Sequence, residues 1–111
     1  MFQILVNNTI QITRSDTAYF SLTLYSDINK KEKYELQEGD CIKFTVKKNV
    51  REKEILIEKI SYKNSIKIES TDTKEMNFGK YVYDMQIIFA NGDINTVIEP
   101  SIFEVRGEVT Q

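Results

Sequence analysis

The side chains of this chain that are best suited to chemistry are carboxylates, because histidine is absent and cysteine occurs once. Asp84 has the most unusual surroundings of the acids, since it lies among aromatic residues in an alternating apolar and polar stretch. A carboxyl group buried there would have a raised pKa and could act as a general acid. The alternation predicts instead that Asp84 faces solvent, on the side of a strand opposite Tyr83 and Met85. We therefore expect Asp84 to be a surface residue.

The remaining candidates do not form a catalytic or metal-binding pattern. A thiol nucleophile needs a base, and no histidine is present to activate Cys41. Asp40, Asp72 and Asp93 carry oxygen ligands of the kind calcium prefers, but they lack the dense spacing of a calcium loop. The four glycines are too scattered to cradle a phosphate. We predict no catalytic residue, no metal ligand and no cofactor-binding residue, and hence no enzyme and no cofactor.

Length and composition are typical of one globular domain, which we expect to span residues 1–111. The net charge of −2 is spread evenly, and the chain has no basic stripe of the kind that nucleic-acid binding requires. No apolar run approaches the roughly 18 residues of a membrane span, and no secretion signal is evident. The predicted protein is made in the cytoplasm without a signal peptide, and it neither inserts into membranes nor binds nucleic acid.

The clearest structural signal is a β-hairpin over residues 79–99. Its first strand carries large apolar residues at every second position, which predicts a half-buried strand. Asn91 and Gly92 follow, and both tolerate the positive φ angles of a two-residue type I′ turn. Pro100 has no N–H to donate, so we expect strand pairing to end there. The residues expected on the inner face are Tyr81, Tyr83, Met85, Ile87 and Phe89.

The rest of the chain predicts further short strands and one helical turn. The strands are expected over residues 2–6, 9–13, 18–25, 41–47, 54–60, 65–69 and 102–105. A charged loop over residues 26–38 is expected to include a short edge strand at 34–36. The helical turn is expected near residues 71–76, with Ser70, Thr71 or Asp72 as its N-cap. This pattern predicts an all-β fold, an immunoglobulin-like antiparallel β-sandwich of about seven to nine short strands.

The approach to the hairpin resembles one corner of immunoglobulin-like sandwiches. In those domains a tyrosine near the start of a strand donates its hydroxyl to the backbone a few residues upstream. Tyr81 or Tyr83 can fill that role. Alternatively, both are ordinary half-buried aromatic residues of a strand, and the sequence leaves the two interpretations open.

The order of several motifs is more specific than any one of them. A polar break at residues 13–17 (TRSDT) is followed by residues 38–47 (EGDCIKFTVK), 66–69 (IKIE) and 72–74 (DTK). Residues 78–86 (FGKYVYDMQ), 91–93 (NGD) and 99–105 (EPSIFEV) come next. In this order the motifs resemble small proteins of phage and prophage tail and baseplate regions in Gram-positive bacteria. They are similar to the N-terminal β-sandwich domain of upper baseplate proteins, although Ser15 and Cys41 depart from the family pattern.

The resemblance implies a non-enzymatic structural or assembly protein of a phage tail or baseplate. Such a protein acts through contacts with itself or with other tail proteins, and it is incorporated into a virion or a phage-tail-like particle. We expect a symmetric oligomer. The main alternative is a module that binds a host carbohydrate or a host protein, and its candidate residues are Tyr19, Tyr25, Tyr34 and Tyr62. A hydrolase or metal enzyme of unfamiliar design is a third alternative.

Overall fold

A computed structural model describes residues 2–4, 7–25 and 32–107 of the chain. In these ranges the fold is all-β, as predicted, and it contains a single turn of helix. The elements are β1 Phe2–Ile4, β2 Ile10–Thr13, β3 Ala18–Ser21, β4 Leu24–Tyr25, β5 Lys33–Tyr34, β6 Cys41–Lys47, β7 Ile57–Ser61, β8 Ser65–Ile68, α1 Ser70–Thr73, β9 Gly79–Ile88 and β10 Ile94–Arg106. Residues 5–6 and 26–31 of the predicted strands and loop lie outside the described ranges.

Six strands form one curled sheet in the order β1-β2-β10-β9-β6-β7. All neighbours in this sheet are antiparallel except β2 and β10, which run parallel. Strands β3 and β8 form a separate antiparallel ribbon, and β4 pairs with β5. The predicted strand over residues 18–25 is therefore divided, because its first part pairs with β8 and its second part pairs with β5.

One core lies between the ribbon and the inner face of the six-stranded sheet. Phe20 of the ribbon packs edge-on against Phe44 of β6, with ring centroids 6.0 Å apart. The alternation of β6 explains the packing, since Ile42, Phe44 and Val46 are fully buried while the residues between them are half-buried. Burial of β-branched and aromatic side chains from both layers supplies the main driving force for this arrangement.

The predicted hairpin is present, and Tyr83, Met85 and Ile87 face the core. Its turn differs from the prediction. The amide of Gly92 donates to the carbonyl of Phe89 at 2.8 Å, and Gly92 alone among the turn residues has a positive φ, of 94°. The loop is therefore a type I turn followed by a left-handed glycine, which is the common three-residue alternative to type I′.

The prediction that pairing ends at Pro100 is wrong. β10 continues through Pro100 to Arg106, so the two strands predicted over 93–99 and 102–105 are one long strand. Its register with β9 shifts twice, between Thr96 and Ile98 and between Ile98 and Ser101. The second irregularity contains Pro100, and a bulge places the missing N–H where the ladder does not require a donor.

The helical turn is confirmed, but it begins earlier and is shorter than predicted. Helix α1 covers Ser70–Thr73 instead of residues 71–76, and Glu69 is its N-cap. Asp72 occupies the third helical position, where its carboxylate accepts a hydrogen bond from the Glu69 amide at 2.7 Å. Within the described ranges, no helix is long and apolar enough to cross a membrane.

The immunoglobulin-like assignment stays a prediction. Two observations are consistent with it: the two-layer packing of β3–β8 on the larger sheet, and the corner before β9. At that corner the Tyr81 hydroxyl donates to the carbonyl of Asn77 at 2.8 Å, which is the backward bond expected for one of the two tyrosines.

Candidate functional site

Asp40 is the most buried carboxylate described, with 4% of its surface exposed, and it has a structural role. One carboxylate oxygen accepts hydrogen bonds from the Tyr34 hydroxyl and the Gln37 amide. The other accepts from the Ala90 amide at 2.9 Å. The hydrogen bond from Tyr34 is the main cause of a lowered Asp40 pKa, and it also raises the pKa of Tyr34. Both oxygens are engaged, so Asp40 holds the segment before β6 against the β9–β10 turn and is not placed to react.

The other acids considered for calcium do not converge. Asp72 lies in α1 and forms an ion pair with Lys59 of β7 at 2.8 Å. Asp93 lies in the hairpin turn. Its backbone amide donates to the side-chain oxygen of Asn91 at 2.9 Å, and the side-chain amide of Asn91 donates to its carboxylate at 3.2 Å. In the described part of the chain, no group of three or more cysteine and acidic side chains is close enough to hold a metal ion.

Asp84 lies on the solvent-facing side of β9, as predicted, and it is half-buried. It is paired with Thr45 of the neighbouring strand β6, and Lys47 is paired with Val82 beside it. These residues belong to the face of the six-stranded sheet turned away from the core, which we call the outer face. No sequence motif marks the outer face as a site.

A shallow pocket of about 100 Å³ opens on the outer face around Asp84. Sites for small-molecule substrates commonly enclose about 300 Å³ or more. The pocket is therefore large enough for one protruding side chain, and its walls offer a carboxylate, an ammonium, a hydroxyl and apolar carbon atoms. The lining residues are Thr45, Lys47, Val50, Val82, Tyr83, Asp84 and Pro100.

The opposite end of the outer face carries a row of apolar side chains, which we call the apolar row. Cys41, Ile88 and Ile94 are cross-strand neighbours on β6, β9 and β10. Ile94 is 56% exposed, and Ile60 of β7, which is paired with Lys43, is 51% exposed. Cys41 and Ile88 are half-buried, and exposed apolar side chains grouped on one face mark contact sites on many proteins. The sequence carried a signal for it, since the outer side of β9 changes from polar to apolar toward Ile88.

The four tyrosines considered for ligand binding do not form one platform. Tyr34 donates its hydroxyl to the Asp40 carboxylate and packs edge-on against Phe89, with ring centroids 5.9 Å apart. Its side chain therefore has a structural role. Tyr19 is exposed on β3 beneath the ammonium of Lys67, which lies 5.3 Å from its ring. Tyr25 lies on β4, and Tyr62 follows β7 and is 74% exposed.

Tyr83 is a core residue that also fixes the first hairpin. Its ring packs among Phe44 and Phe103, and its hydroxyl donates to the carbonyl of Asn8 in the turn between β1 and β2. Burial raises its pKa to about 12. Tyr81 is thus a half-buried strand aromatic and Tyr83 a buried one, and the hydroxyl groups of both donate to backbone carbonyls.

Comparison of the chain with protein-family models, with curated proteins and with solved structures found no match.

Proposed function

We propose that this chain is a non-enzymatic assembly component of a phage or prophage tail or baseplate, and that it contacts a neighbouring protein through the outer face. The resemblance of the chain's motifs to phage tail and baseplate proteins suggests the setting. The observation that carries the proposal is the exposure of branched apolar side chains on a sheet face, with Ile60, Ile94 and Ile102 all exposed. Exposed apolar side chains grouped on one face mark protein contact sites on many proteins.

The shallow pocket supports a protein partner over a small substrate. About 100 Å³ accommodates one side chain of a partner. In its lining, Asp84 can accept a hydrogen bond from that side chain and Lys47 can donate one to it. The pocket and the apolar row together give a polar end and an apolar end to one continuous contact surface.

β7 is an edge strand of the described sheet, and its edge is a less suitable contact site than the outer face. Lys59 is directed toward the core side of the sheet, because it is paired with the buried Phe44. An inward-pointing charge on an edge strand hinders the addition of another strand. Its ion pair with Asp72 closes the space between β7 and α1. We therefore assign the contact to the face and not to this edge.

Co-assembly with tail proteins encoded beside this chain's gene tests the proposal. The chain should co-purify with at least one of them, and Ile60→Glu combined with Ile102→Glu should weaken that association at least tenfold, since two apolar anchors become charged. Tyr19→Ser, on the opposite layer, is the matched control and should bind like the unaltered chain. Binding can be measured by titration calorimetry after confirming that each variant melts cooperatively. The proposal fails if no neighbour binds, or if the outer-face variant binds normally.

The alternative of carbohydrate or host-protein binding rests on Tyr62. It is the most exposed aromatic residue described, and a free tyrosine ring can stack on a sugar. A glycan array in which the unaltered chain binds and Tyr62→Ala does not would favour this function over the first.

A further inference from the structure

Among the strands that the structure describes, the first half of β10 forms an open sheet edge. On one side β10 pairs with β9 along its length, whereas on the other side β2 reaches only residues Phe103 to Arg106. In the described part of the chain, no strand lies beside Ile94, Asn95 and Thr96 on that second side. All three residues are exposed.

The hydrogen bonds of the hairpin show which backbone groups face this open side. The Phe89 amide donates to the carbonyl of Asp93 at 2.8 Å, so these two residues form a hydrogen-bonded pair of the antiparallel ladder. Bonded and non-bonded pairs alternate along such a ladder. Ile94, opposite Ile88, and Thr96, opposite Gln86, therefore direct their N–H and C=O groups away from β9.

This edge lacks the charged residues that protect the edge strand β7. Residues 94–98 (INTVI) contain no charge, whereas the edge strand β7 contains Glu58 and Lys59. Charged residues, bulges and proline are the usual means of keeping sheet edges apart. Here the register shift after Thr96 and the proline at position 100 limit the regular template to Ile94–Thr96. The template is short, uncharged and rich in β-branched side chains.

We propose that two copies of this chain join by antiparallel pairing of Ile94–Thr96 across a two-fold axis at Asn95. This inference rests on the proposed assembly function and names one partner, a second copy. The axis places Ile94 opposite Thr96 of the second copy, so the outward N–H and C=O groups form about four backbone hydrogen bonds. Asn95 lies opposite Asn95 of the second copy, and their side-chain amides can form hydrogen bonds with one another.

The arrangement favours a second copy because the segment is self-complementary. The pairing brings no like charges together, and the β-branched Thr96 of one copy is the cross-strand neighbour of Ile94 in the other. Pairing also brings the two apolar rows next to each other on one continuous sheet, which extends the outer face across both copies. The interface is isologous and closed, so it produces dimers and not fibres.

Amide hydrogen exchange as a function of concentration tests the pairing. Between about 10 μM and about 1 mM, the amides of Ile94 and Thr96 should gain protection together with the dimer fraction in sedimentation equilibrium. The Asn95 amide, which bonds toward β9, should be protected at every concentration. Thr96→Pro removes an edge donor that the β9 ladder does not use, and it should weaken dimerisation at least tenfold. Thr96→Val keeps the backbone donor and should dimerise like the unaltered chain.

The outcomes separate this inference from the proposed function. The inference is overturned if the chain stays monomeric at the highest concentration, if Ile94 and Thr96 exchange at a constant rate, or if Thr96→Pro dimerises normally. A chain that is monomeric but binds a tail protein through Ile60 and Ile102 would overturn the pairing and leave the proposed function intact.

Discussion

At the scale of single residues, backbone angles identify a position where the sequence does not suit the fold. Ser15 has a φ of 71°, a left-handed conformation that is unfavourable for residues with a Cβ atom. Its amide donates to the Thr73 hydroxyl at 2.9 Å, which ties the turn after β2 to the end of α1. The contact uses the backbone of Ser15, and its exposed side chain is not needed for it.

Ser15→Gly is expected to stabilise the protein by about 0.5–1 kcal/mol, because glycine adopts the left-handed conformation without steric cost. The free energy of unfolding from urea titration measures the effect. Asn8→Gly is the matched control. Asn8 has a similar φ of 69°, and asparagine tolerates this conformation, so its gain should be smaller. A loss of stability in Ser15→Gly would show that the serine side chain contributes to the turn.

At the scale of elements, the segment before β6 is held by one carboxylate. Asp40 joins Tyr34 of β5, Gln37 of the connecting loop and Ala90 of the hairpin turn. Gly39 beside it has a φ of 90°, and a Cβ atom there would lie 2.8 Å from the Cβ of Ala90. The loop therefore packs directly on the hairpin turn. These hydrogen bonds lower the Asp40 pKa, which links the attachment of the loop to pH.

Acid should weaken this attachment through Asp40. A lowered folded-state pKa means that the contribution is present above the unfolded-state pKa of 3.8 and is lost as pH falls through the folded-state value. We expect Asp40→Asn to melt at a lower temperature than the unaltered chain near neutral pH. The difference should shrink once the pH falls below 3.8. Thermal melts followed by circular dichroism over this range measure both curves, and parallel curves would contradict the assignment.

At the scale of the whole molecule, the two layers are joined by aromatic contacts. Phe20 of the ribbon meets Phe44 of the large sheet, and Phe44 contacts Tyr83 and Phe103 of the neighbouring strands. Buried side chains from β2 to β10 form one cluster with these rings. The layers should therefore unfold together, since neither buries its inner face alone.

Phe20→Ala should destabilise the protein by about 3–4 kcal/mol, because it removes a large buried side chain and leaves a cavity between the layers. Tyr19→Ala, the adjacent residue on the exposed side of the same strand, should cost less than about 1 kcal/mol. Urea unfolding followed by both fluorescence and circular dichroism measures the two variants. Comparable losses in both would mean that the ribbon is not held through Phe20.

The sequence alone determined the features that depend on local alternation. Period-two patterning predicted the strands, the inward faces of β6 and β9 and the outward position of Asp84, because side-chain direction in a strand follows from the backbone itself. Turn residues predicted a hairpin at Asn91 and Gly92, but not its type, since both loop forms accept the same residues.

Only the tertiary structure decided which strands are neighbours and which surfaces stay open. The parallel pairing of β2 with β10 and the hydrogen bond between Asp40 and Ala90 depend on residues far apart in the chain. The passage of β10 through Pro100 depends on its pairing with β9 on both sides of the proline. The outer face and the edge at Ile94–Thr96 likewise exist because no described strand covers them. Alternation assigns a side chain to a face, but the packing of distant segments determines whether that face or edge meets protein or solvent.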